Sequence, residues 1–323
     1  MRDAAFSATS LARLGSYDEA FSYLDWVLRV LDQRVEPDRF SPVYNVAGHH
    51  LPPEAEIAEL PGYGSSRPVR IGNAAGDQFQ SDIFGPILDL MAVLVTSGQN
   101  LSAEHWRLTE ASVLAVSRRW NEPDHGIWQT RTGPRHHVYT KVMCWVAVDR
   151  AIEIAKGFVD QPPQAWFDLR NEIAEDVLEK GWKPSIDSFS ASYDNEDLDA
   201  SVLAIGLYGL IPTEDPRYIS TVTTIAKRLR NGPTVYRYLA DDGLPGKEGG
   251  IHMMTAWLVK ALGLTGSADK ARELFSQLCE LTGATGLLSD QYDPSNERSL
   301  GNVPQAISHA GLIDGAVFLS QLD

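Results

Sequence analysis

Three histidines lie in glycine- and proline-rich surroundings where a proton could be moved. His125 and His137 sit in EPDHGIWQTRTGPRHHVYTK, and His252 sits in KEGGIHMMTAW. An imidazole titrates close to neutral pH, so each could give or take a proton there. Carboxylates occupy similar stretches: Asp124, Glu248, and Asp290 in LLSDQYDP. Arg67 and Arg70 lie in GSSRPVRIGN, Arg237 lies in VYRY, and Arg2 and Asp3 are adjacent. A guanidinium beside a carboxylate offers donors and acceptors in fixed geometry, which suits neighbouring hydroxyl groups. Trp128 could wall such a site, whereas the amide of Gln129 beside it hydrogen-bonds but has no proton to donate to a leaving group. The histidine pairs 49–50 and 136–137 lack metal-ligand spacing. GLPGKEGG also lacks the pattern of a phosphate-binding loop. No metal or other cofactor is expected.

Helical periodicity supplies the elements that must hold these residues. Ser16 and Glu19 form a capping box before YDEAFSYLDWVLRVLDQR, in which Phe21, Leu24, Val27, Leu28 and Leu31 share one face. Further amphipathic stretches run at about 4–14, 75–97, 103–119, 138–156, 163–180, 197–209, 215–230, 249–263, 267–282 and 304–321. That makes eleven helices, with no alternating strand pattern, so the chain is expected to be all-α. Long loops at 40–74, 121–137, 183–196, 231–248 and 284–303 alternate with short links such as RLGSY and GLTGSA. Such alternation predicts helical hairpins in a ring with the long loops, where function concentrates, at one end. Residues 1–323 read as a single domain.

Composition narrows the partners. The 323 residues are 43% hydrophobic, enough for a large core. The net charge is -15, from 43 acidic against 28 basic residues, which argues against nucleic acid and anionic membranes as partners. The longest apolar run, ILDLMAVLV, contains Asp89 and is too short to span a bilayer. Cys144 and Cys279 fall in apolar helical contexts and read as core residues. With no apolar signal core after Arg2 and Asp3, a cytoplasmic location is expected.

Seven segments in order carry a resemblance over nearly the whole chain. They are RDAAF, LARLGSYDEAFSYLDW, GYGSSRPVRIGNAAGDQFQ, PDHGIWQTRTGPRHHVYTKVMCWVAVDRAIEIA, DLDASVLAIGLYGLI, DGLPGKEGG and GLLSDQYDP…LGNVPQAISHAGLI. Together they resemble glycoside hydrolase family 15, the glucoamylases and their bacterial trehalase-like and glucodextranase-like relatives. The resemblance implies an (α/α)6 barrel of six helical hairpins, a pocket among the loops, and inverting hydrolysis of an α-linked glucoside. A six-hairpin ring needs twelve helices, so the first is expected to be missing here. The resulting seam between 4–14 and 304–321 would invite self-association or closure by the C-terminal helix.

By the same resemblance, the sugar-binding Arg-Asp pair falls on Arg2 and Asp3. Arg67, Trp128, Arg237, Glu248 and His252 fall near the pocket. The general acid falls on Gln129 and the general base on Asp290, where the family carries glutamate at both. Inverting hydrolysis needs one protonated and one ionised carboxyl. Asp290 keeps the charge; Gln129 loses the proton. His125, His137 or His252 would then be the substitute donor. Three readings follow: a diverged glycosidase on a small α-glucoside or sugar-like substrate; a lyase, isomerase or cyclase on the same scaffold; or a catalytically silent sugar-binding protein.

Overall fold

The computed structural model of the chain describes residues 1–32, 40–131, 133–241 and 248–322. Among them are eleven α-helices: α1 (Arg2–Arg13), α2 (Tyr17–Asp32), α3 (Phe84–Thr96), α4 (Ala103–Arg119), α5 (Val138–Ala155), α6 (Gln164–Lys180), α7 (Ala204–Leu207), α8 (Pro216–Arg228), α9 (His252–Leu264), α10 (Ala268–Glu280) and α11 (Ala306–Ser320). The expected end of α2 at 33–34 and most of the DGLPGKEGG segment lie outside the described residues.

The odd-numbered helices form an inner ring, in which each packs on the next and α11 returns to α1. The even-numbered ones lie outside it, α2 on α1, α4 and α6 on α5, α8 and α10 on α9. Sequence explains the two layers. Helix α5 (VYTKVMCWVAVDRAIEIA) is buried on nearly every side, as befits an inner helix between two neighbours and an outer one. Helix α8 buries only Tyr218, Thr221, Val222 and Ile225, a single stripe. The result is the six-hairpin toroid type, with five outer helices among the described residues.

The expected open seam is absent from the inner ring. Helix α1 lies directly against α11, with the Ser10 hydroxyl donating to the Ala310 carbonyl at 3.0 Å. Asp314 of α11 ion-pairs with both Arg13 of α1 and Lys260 of α9. Helix α11 thus closes onto α1, the second of the two outcomes expected for the seam.

Two helices begin later or run shorter than periodicity predicts. Residues 74–83 form two 3-10 turns and an extended link before α3 (Phe84–Thr96). Residues 200–203 are a 3-10 turn leading into a four-residue α7, because Asp199 caps the turn through Ser201 N–H. Nine strands of two or three residues occur as well among the described residues: β1 (Ala55–Glu56), β2 (Arg70–Ile71), β3 (Trp182–Lys183), β4 (Ser188–Phe189), β5 (Arg230–Asn231), β6 (Thr234–Val235), β7 (Gly250–Ile251), β8 (Gln291–Asp293) and β9 (Arg298–Leu300). All pair antiparallel, and strands this short leave no alternation to read. The β7–β8–β9 sheet ties the start of α9 to the segment that follows Asp290.

Candidate active site

The long loops all precede inner helices, so the N-terminal ends of α1, α5, α9 and α11 and the turns before α3 and α7 meet at one end of the ring. Helix N-termini carry partial positive charge and stabilise nearby carboxylates. Asp3, Asp82 and Asp199 stand at this end, in the first turn of α1 or in and beside the turns before α3 and α7, and Asp290 lies on the loop just before β8.

Arg2 is 6% exposed, and its donors are largely committed. Nη1 donates to Asp82 at 2.6 Å and to Gln80 at 3.2 Å, while Nη2 donates to the Ile127 carbonyl at 2.7 Å. Only Nε turns toward Asp3, at 3.4 Å, and the Asp3 side chain is 64% exposed. Within the expected pair, Arg2 thus anchors the 80–82 and 127 segments to α1, while the Asp3 carboxylate stands open to solvent.

The segment from Asp124 to Thr130 is pinned at many points. Buried Asp124 accepts from the Ser81 and Gly126 N–H groups and from the Thr140 hydroxyl. Burial, reinforced by Asp82, pushes its carboxyl up to about 7. Gly126 has φ +66°, and a Cβ there would come within 2.8 Å of the His137 ring, so only glycine fits. His125 turns Nδ1 to the Phe79 carbonyl at 3.3 Å. A carbonyl can only accept, so that nitrogen carries the proton. His137 is pushed down to about 4 by burial and by Arg135, and stands neutral at pH 7. His137 is therefore not presented as a protonated acid, while His125 spends its Nδ1 on bracing the 79–80 segment. Gln129 itself is half-buried and adopts φ +54°.

A second group joins the remaining loops. The Trp128 indole N–H donates to Asp199 at 2.7 Å. Arg237 stacks above the Trp128 ring at 5.5 Å, within reach of a cation–π attraction. The Arg237 carbonyl accepts from Ala200 N–H at 2.8 Å, and its guanidinium pairs with Glu248. Asp290 is half-buried, held by its N–H to the Asn302 carbonyl at 3.1 Å. Gly301, at φ +76°, passes so close that a Cβ would meet the Asp290 Cβ at 2.8 Å. Burial and the nearby Asp3 and Glu248 raise the Asp290 pKa, while Arg237 and Gln305 pull against them. Trp128, Arg237, Glu248, Asp3 and Asp290 therefore belong to one electrostatic neighbourhood.

Two expected residues fall elsewhere. Arg67 is exposed and donates to the Ala58 carbonyl at 2.9 Å, bracing its own loop. His252 is 1% exposed, beneath the loop that carries Asp290, with Nε2 at 3.5 Å from the Ser289 hydroxyl. Sequence reading missed Asp82, Asp199, Gln78 and Gln80. Only Asp199 left a signal, as an N-capping residue ahead of ASVL. Among the described residues no cluster of His, Cys, Asp and Glu could hold a metal ion, and no helix is long and apolar enough to cross a membrane.

His252 yields a pH prediction. Burial, with His309 beside it, pushes its pKa down to about 4, below the unfolded value near 6.5. The unfolded chain takes up this proton first as pH falls. Stability is therefore lost from about pH 6.5 down to about 4, at up to about 1.4 kcal/mol per pH unit. His137 contributes the same sign. Asp124 contributes the opposite one, because its raised pKa lets the folded chain keep a proton the unfolded chain has lost. The difference between variants isolates one group. Relative to His252→Gln, the native chain is expected to lose stability steadily between about pH 6.5 and 4.5 in urea unfolding. A pH-independent difference would mean an ordinary His252 pKa.

Residues 1–317 match the profile of the family described as Glycosyl hydrolases family 15. A trehalase from Mycobacterium tuberculosis is 36% identical over 325 residues, covering 98% of this chain and 47% of that protein. A trehalase from Thermoplasma volcanium is 35% identical over 315 residues, covering 97% and 50%. The chain spans about half the length of the curated relatives it matches. A glycosidase variant solved in complex with glucose superposes with a TM-score of 0.78 at 22% identity, over 100% of this chain and 88% of that one. A bacterial glucoamylase complexed with acarbose gives 0.71 at 13% identity, over 99% and 48%. At these identities the structural likeness speaks for the fold.

Proposed function

Because this chain belongs to glycoside hydrolase family 15, we propose that its pocket is that of a diverged inverting glycosidase for a small α-glucoside, with the base half kept and the acid half replaced. Asp290 is the base, drawing a proton from the water that attacks the anomeric carbon. Asp3, Trp128, Arg237 and Glu248 hold the terminal sugar. Gln129 stands at the acid position and offers the glycosidic oxygen a hydrogen bond, not a proton. The relatives named trehalase favour an α-linked disaccharide of glucose as the class of ligand.

The observation that carries this reading is Asp290. A carboxylate kept half-buried beside Asp3 and Glu248 is electrostatically costly, and loop glycine Gly301 is shaped around it. A silent sugar-binding pocket has no use for that cost. The test separates the two half-mechanisms. α-D-Glucosyl fluoride releases fluoride without a proton, so it needs the base and not the acid. The native chain is expected to hydrolyse it, with inversion to β-glucose, and to leave trehalose and maltose essentially uncut. No fluoride release above the spontaneous rate would sink the reading; brisk native cleavage of trehalose would show that the acid is not at position 129.

A further inference from the structure

Gln129 holds a backbone conformation, with φ at +54°, that a side-chain-bearing residue adopts only at a cost. Something must hold it there. The carbonyls on both sides are gripped: Ile127 O accepts from Arg2 Nη2 at 2.7 Å, and the Gln78 amide donates to Gln129 O at 3.4 Å and Thr130 O at 3.1 Å. The Gln78 oxygen accepts from the Gln80 amide at 2.9 Å, and the Gln80 oxygen accepts from Arg2 Nη1 at 3.2 Å. The chain of bonds closes on itself through Arg2, Gln80, Gln78 and the 127–130 backbone.

Its direction is fixed by chemistry. Arginine can only donate, so Gln80 must turn its oxygen to Arg2 and its nitrogen to Gln78. Gln78 must then turn its oxygen to Gln80 and its nitrogen to carbonyls that can only accept. A flip would cost Gln80 two bonds and Gln78 three. Gln80 is fully buried and Gln78 half-buried, so a lost bond leaves polar atoms with reduced access to water.

We propose that Gln78, oriented by Gln80, is the positioning residue that keeps position 129 left-handed and so aims its side chain at the leaving-group oxygen. The proposal rests on the reading of position 129 as the acid site, and two readouts keep them separable. In the Gln129→Glu protein, Gln78→Met preserves side-chain length but removes both donated bonds. It is expected to lower kcat on trehalose by roughly tenfold to a hundredfold, as a displacement of about 1 Å does. KM should move little, and α-glucosyl fluoride hydrolysis far less than kcat on trehalose. A merely structural role would lower both rates together.

The second readout needs no activity. Gln129→Gly relieves the left-handed strain and is expected to raise the urea midpoint of the otherwise native chain. In the Gln78→Met background the backbone is free to relax, so the same glycine should raise the midpoint much less. Equal glycine gains in the two backgrounds overturn the proposal. A Gln129→Glu protein inert toward trehalose, together with unequal gains, overturns the acid assignment and leaves the backbone clamp standing.

Discussion

Gln129→Glu is expected to cleave trehalose or maltose at least a hundredfold faster than the native chain. The reasoning is the chemistry of the leaving group. A sugar alkoxide is a poor leaving group unless it is protonated as the bond breaks, and a positioned acid contributes about 10²–10⁴ in rate. An amide at that point stabilises the oxygen by a hydrogen bond but cannot move a proton to it. Of the histidines in the same loop, His137 is no ready stand-in. His137 is held neutral, its pKa pushed down to about 4, and His125 has Nδ1 turned to a backbone carbonyl. The gain should appear in kcat, because glutamate and glutamine are nearly isosteric and ground-state contacts change little. The added activity should fall as pH rises through the new carboxyl's pKa, since only the protonated form donates. Unchanged turnover, with the variant folded and still binding glucose, would remove position 129 from the acid role.

The fold was legible because its signal is long-range periodicity. Apolar spacing marks α8 and α10 by a single buried stripe each, and every one of the eleven predicted segments overlaps a helix. Where helices begin was less legible. The stretch 74–83 has helical composition, yet it stays out of helix α3, tied to the 124–130 segment by the Gln78 amide and by the Ser81 N–H donated to Asp124. Such ties cross some fifty positions and leave no local mark. Site residues followed the same division. Trp128, Asp290 and Arg237 were assigned because ordered segments around them match a family pattern. Gln78, Gln80 and Asp82 were missed because their importance lies only in whom they touch. Arg67 was placed near the pocket by its motif, but hydrogen bonding to its own loop decides its direction. Arg2 shows the limit from the other side: the residue was identified, but its guanidinium serves the protein's interior.

Asp290→Asn is expected to lower α-glucosyl fluoride hydrolysis by about two orders of magnitude or more, consistent with loss of a positioned base. The native residue is already a compromise. Its side chain is one methylene shorter than glutamate, which withdraws the carboxylate by about 1 Å unless the backbone or a second water makes up the gap; errors of that size can cost about a hundredfold. Close contact between Gly301 and the Asp290 Cβ argues that this loop is fitted to aspartate, so Asp290→Glu should not rescue fully without rearranging residue 301. Because burial, Asp3 and Glu248 raise the Asp290 pKa, the fluoride rate should climb with pH through a value above that of an ordinary aspartate, as the base becomes ionised. Asp3→Asn removes one of the charges opposing ionisation and should shift that limb to lower pH. Arg237→Met removes a charge favouring it and should shift the limb the other way. Opposite movements of one pH–rate limb are hard to produce by general damage to the pocket. A limb that stays in place in both variants, or full activity in Asp290→Asn, would take the base role from this residue.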